Sequence, residues 1–69
     1  MTKEQILNEW QPGDDSEAVR ILKRQHAVEV SRNAIAAWRK RANNRSPLSP
    51  LYIAAFKAAI EIRKSANNE

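Results

Sequence analysis

The chain has 69 residues and a net charge of +4, with no cysteine and one histidine. Disulfides and thiolate metal sites are excluded, and His26 has too few companions for a structural zinc site. A chain of this length buries only about 60% of its unfolded surface, so tight helical packing or self-association must support it.

No apolar run reaches the ~18 residues of a membrane span. The opening MTKEQILNEW lacks a signal-peptide core, so a cytoplasmic protein of a bacterium, or of a phage's bacterial host, is expected. The same stretch reads as a short first helix. Thr2 followed by Gln5 matches a capping box, and Ile6, Leu7 and Trp10 fall on one side. Pro12-Gly13 then marks a turn, and Asp14, Asp15 and Ser16 are all candidate caps for a second helix.

That helix is expected over residues 17 to 26 or 27. Ala18, Val19 and Leu22 lie on one face with Ile21 beside them, and His26 is expected packed or half-buried at the end. No glycine or proline announces the next boundary. Ser31 is a good N-cap preceded by the apolar Val30. A third helix should run from residue 32 to 40 or 42. Its anchors are Val30, Ala34, Ile35 and Trp38. Trp38 reads as a core anchor, because a base-stacking platform needs exposed aromatics.

The segment ANNRSPLSP reads as a loop. Ser46 or Ser49 can cap a fourth helix over residues 51 to 64, with Pro50 at its first position. Tyr52, Ile53, Phe56, Ala59, Ile60 and Arg63 recur at helical spacing there, while Ile62 lies off that stripe. Two roles are open here: Tyr52 and Phe56 complete the monomer core, or Tyr52 and Ile53 form part of a dimer contact. The excess apolar surface at Ile62 favours dimerisation. Residues 65 to 69 read as a flexible tail. The fold class expected is all-α, a small bundle of four or five helices in a single domain over residues 1 to 69.

The positive charge is concentrated in the middle. Residues 20 to 45 hold Arg20, Lys23, Arg24, Arg32, Arg39, Lys40, Arg41 and Arg45 against one acid, Glu29. A basic centre without a basic tail suggests a folded face for a polyanion, most simply nucleic acid. Two short helices joined near Glu29 and Val30 fit a helix-turn-helix, whose second helix is held by a few buried side chains while its other side enters the major groove. Arg32 and Asn33 suit guanine and adenine edges, and Ala36 and Ala37 allow close approach to bases and thymine methyls. Ser31, Arg39, Lys40 and Arg41 suit the phosphate backbone.

The stretch VSRNAIAAWRKR, with Val30, Ser31, Arg32, Asn33, Ala34, Ile35 and Trp38 in their places, resembles the recognition segment of phage Cro-like repressors and related small helix-turn-helix regulators. The opening helix, the turn before SEAVRIL and the proline-marked loop leading to Tyr52 resemble the rest of such chains. The resemblance implies a sequence-specific transcriptional regulator, acting as a homodimer on a two-fold operator in double-stranded DNA. It also places Arg32, Asn33, Ala36 and Ala37 towards the bases. Glu29 stands where the family usually carries glycine. A left-handed backbone there would cost a non-glycine residue about 1 kcal/mol, so a different turn geometry is expected.

Two other readings stand beside it: a non-enzymatic helical protein-interaction module using the fourth helix, and a DNA-recognition subunit in phage packaging or recombination. An enzyme is not expected, since there is no thiol, no glycine-rich phosphate loop and no paired-carboxylate site in the basic region. Neither a cofactor nor a small-molecule ligand is expected.

Overall fold

The chain opens on a complete capping box. In the computed structural model, which describes residues 2 to 41 and 47 to 67, the Thr2 hydroxyl accepts from the Gln5 N–H (3.2 Å) and the Gln5 side chain accepts from the Thr2 N–H (2.8 Å). This starts α1 (Lys3–Glu9). Of its apolar residues only Ile6 is buried. Trp10 is half-buried and Leu7 is 45% exposed, so Leu7 does not join the stripe expected of it.

α2 (Asp14–His26) begins three residues earlier than the spacing suggested. Its N-cap is Gly13, at φ 98°, a left-handed conformation that glycine adopts at little steric cost. Asp14 and Asp15 are therefore helical residues rather than caps, and Asp14 Oδ2 instead accepts from the Gln11 N–H (2.9 Å). Asp14, Asp15 and Glu17 lie in the first turn, with Lys23, Arg24 and His26 in the last, a distribution that complements the helix dipole. His26 is exposed, because the helix ends where its face has already left the core.

The turn after α2 has the different geometry expected from a non-glycine residue at Glu29. The left-handed residue is Ala27, at φ 54° and ψ 34°. Its N–H points back to the Leu22 carbonyl, which also accepts from Val28 (3.0 Å). Glu29 does not take a positive φ. The chain then extends through Val30 to Ser31, whose Oγ accepts from the Ala34 N–H (3.0 Å) and caps α3 (Arg32–Lys40).

α4 (Ser49–Asn67) is longer than expected at both ends. Ser49 is its first residue rather than a cap, and its Oγ accepts from Trp38 Nε1 (2.9 Å). The expected tail is helical as far as Asn67. Residues 42 to 46 lie outside the described part, and with them the centre of the expected loop, Arg45, the extension of the third helix through Ala42 and the capping role of Ser46.

The described residues contain four helices and no strand. α2 packs chiefly on α4, with α3 against α2 and α1 against α4. Buried alanines at 18, 55 and 59 let the α2 and α4 backbones approach closely. The core is completed by Ile6, Ile21, Leu22, Ile35, Trp38, Tyr52, Phe56 and Ile60. Trp38 stacks on Phe56 (centroids 5.9 Å apart, planes 14° apart) and meets Tyr52 edge-on (5.2 Å, 71°). Tyr52 and Phe56 therefore complete the monomer core, and Tyr52 is not available as a dimer contact. The radius of gyration is 11.3 Å, close to the ~11 Å expected of a compact chain of this length. No helix among the described residues is long and apolar enough to cross a membrane.

Candidate nucleic-acid interface

α3 is held from one side only. Ile35 and Trp38 point into the core at 0% and 4% exposure, and Val30 just before the helix is half-buried. Ala34 is exposed and is not an anchor, because one-residue steps turn a helix by about 100° and Ile35 already occupies the inward position. The open side carries Asn33, Ala34, Ala37 and Lys40, a stripe at helical spacing. Arg32 is exposed at its edge and donates to Ser16 Oγ on α2 (3.2 Å). Ser31 and Arg41 are exposed at the two ends. Ala36, three residues after Asn33 and four before Lys40, shares that side but is half-buried, so of the residues expected at bases it is the least accessible.

Arg39 departs furthest from expectation. Its Nε and Nη2 donate to Asp15 Oδ1 (3.2 Å) and Oδ2 (3.1 Å), and its guanidinium lies 3.9 Å from the Trp10 ring centroid. Its side chain is 13% exposed. A fork satisfied by a carboxylate and covered by an indole is not free to meet phosphate, which corrects the assignment of Arg39 to the backbone of a nucleic acid. The partner, Asp15, lies 24 residues earlier in the chain. Nothing in sequence spacing signals that pairing.

Lys3 is a further residue that the sequence did not single out. Its Nζ donates to the Trp38 carbonyl (2.8 Å) and to the Arg41 carbonyl, and lies 4.7 Å from the Trp38 ring centroid. It brings a cation to the C-terminal carbonyls of α3, where the helix dipole favours positive charge. Desolvation lowers its pKa from the ordinary lysine value.

The ion pairs sort the remaining charges. Glu9, Asp14, Asp15, Glu17 and Glu29 are paired with Lys64, Arg63, Arg39, Arg20 and Lys23 respectively. Among the described residues the basic side chains without an acidic partner are Lys3 on α1, Lys57 on α4, and Arg24, Arg32, Lys40 and Arg41. The unpaired acids among them are Glu4 and Glu61, which lie on α1 and α4. The unpaired Glu4 and Glu61 share their helices with Lys3 and Lys57, so the positive charge left without an acid on the same helix lies at the end of α2 and along α3. The described residues contain no group of three or more His, Asp or Glu placed to hold a metal ion. No protein-family model, no curated protein and no solved structure matches the chain.

Proposed function

We propose that this protein is a sequence-specific double-stranded-DNA-binding regulator, in which α2 and α3 act as a helix-turn-helix and α3 enters the major groove. One observation carries the reading. The open stripe Asn33, Ala34, Ala37 and Lys40 is bordered by Arg32 and Arg41, cations that have no acidic partner among the described residues, and Arg24 on α2 is exposed and likewise without one.

The chemistry of the stripe suits the task. Asn33 can pair with an adenine edge and Arg32 with a guanine edge, while Ala34 and Ala37 leave room for thymine methyls. Lys40, Arg41, Arg24 and Ser31 take the phosphates. The mechanism is passive: the protein occupies an operator and excludes other proteins from it, as the resemblance to Cro-like repressors implies. A homodimer on a two-fold site completes the proposal, joined along the flank of α4 where Ile62 is 52% exposed.

Mobility shift of a random duplex across a salt series tests the reading. Counterion release gives a slope of about −0.9 in log K against log salt per phosphate neutralised. The four cations Arg24, Arg32, Lys40 and Arg41 predict a slope of about −3 to −4 per protomer. A flat salt response, or no shift at low salt, sinks the proposal.

A further inference from the structure

Arg39 is engaged with Asp15, and that engagement has a role of its own. Asp15 Oδ1 accepts from Trp10 Nε1 (3.0 Å) as well as from Arg39 Nε, and Oδ2 accepts from Arg39 Nη2. The carboxylate side chain is 17% exposed. Three segments meet there: Trp10 at the end of α1, Asp15 in the first turn of α2 and Arg39 in the last turn of α3. A guanidinium gripped at its edge by a carboxylate and at its face by an indole has its plane fixed, unlike a lysine ammonium.

Ile35 and Trp38 hold α3 against the core chiefly by apolar contact, which is non-directional, with one neutral hydrogen bond from Trp38 Nε1 to Ser49 Oγ beside it. The Arg39 fork is directional. Arg39 neighbours Lys40 on α3, so the rotation of the helix that satisfies the fork also sets where Asn33, Ala37 and Lys40 point. Base readout requires placement to within about 10–20°.

We propose that Asp15 and Arg39 form a positioning pair that sets the rotation of α3, and through it the base preference, without contributing charge to phosphate binding. The inference rests on the DNA-binding reading and names the residues that give that site its discrimination.

Asp15→Asn separates the two roles by its effect on discrimination. It keeps an acceptor for Trp10 and the shape of the side chain, but removes a negative charge near a polyanion. If Arg39 were a phosphate contact restrained by Asp15, the variant would raise affinity for every duplex by a similar factor. If the pair positions α3, affinity for random duplex holds or rises while preference for the chosen sequence falls.

The experiment takes a duplex selected by the wild-type protein from a random pool, and a scrambled version of it. Affinities and salt slopes are measured for wild type, Asp15→Asn, Arg39→Gln and Arg39→Lys, with circular dichroism melts to keep every assay below the melting range. The expected result is a loss of at least tenfold in the selected-to-scrambled ratio for all three variants, and a salt slope for Arg39→Gln equal to wild type. Arg39→Lys keeps the charge but not the fork, so its failure to rescue discrimination is part of the expectation, and it decides the matter if Asp15→Asn does not fold. A slope reduced by about one in Arg39→Gln, an equal gain for both duplexes in Asp15→Asn, or full discrimination in Arg39→Lys overturns the proposal. A wild-type protein that selects no sequence overturns the DNA reading itself, and the positioning role with it.

Discussion

Ala27 carries the only positive φ among the described non-glycine residues, and it lies in the turn that joins the two helices of the proposed DNA-binding unit. An L-residue in that conformation costs about 1–2 kcal/mol. Ala27→Gly is therefore expected to raise stability by about 1 kcal/mol and the melting temperature by roughly 4–8 °C, read in a thermal melt. An unchanged or lower melting point would mean that the turn is not strained. Asp14 presents the opposite case. It is 3% exposed, accepts from the Gln11 N–H and is forked by Arg63 through Nε (3.2 Å) and Nη2 (3.3 Å). Arg63 also donates to the Glu9 carbonyl (2.7 Å). Asp14→Ala strands a partly buried guanidinium and a backbone donor, which should cost about 3 kcal/mol. Urea denaturation measures it, and a loss within about 0.5 kcal/mol, the usual effect of a surface substitution, would show the pair to be dispensable.

α3 has nine residues, fewer than the ~12–15 at which even a good isolated helix becomes marginal. Its order comes from outside: the Ser31 cap, the Ile35 and Trp38 anchors, and the Lys3 ammonium at its last carbonyls. Those restraints leave one stripe free, and its members should differ in kind when replaced. Asn33→Ala is expected to relax base preference at one position, at about 1–3 kcal/mol of discrimination. Lys40→Ala is expected to weaken selected and scrambled duplexes alike and to reduce the salt slope by about one. Competition binding with both duplexes reads the difference, and indistinguishable behaviour of the two variants would remove α3 from the recognition role.

At the scale of the molecule, α4 serves as the platform on which α1 and α2 pack. Its inner side supplies Tyr52, Ala55, Phe56, Ala59 and Ile60 to the core, while Ile62, on the flank that meets the start of α2, lines a shallow groove of about 280 Å³ with Ala59, Pro12 and Gly13. Ile62→Glu is expected to shift the protein from dimer to monomer in sedimentation equilibrium, with its helical circular dichroism unchanged. A wild-type chain that sediments as a monomer at tens of micromolar would leave the two-fold operator without a structural basis.

Local chemistry made much of this legible. The Thr2 box, the Pro12-Gly13 break, the Ser31 cap and the apolar spacing of α2 to α4 predicted four helices from the residues alone, because caps and periodicity act within one or two turns of chain. The concentration of basic residues between positions 20 and 45 was equally plain, since charge needs no fold to be counted. Which of those charges remain free was decided only by tertiary structure. Arg39 and Arg32 look alike in sequence, yet one is forked by Asp15 under Trp10 and the other stands at the edge of the open stripe. The same holds for Ala34 and Ile35, adjacent in the chain and opposite in burial, and for the left-handed residue of the turn, which is Ala27. Ion pairing, burial and the handedness of a turn depend on groups brought together from distant positions, and no short window of sequence contains both partners.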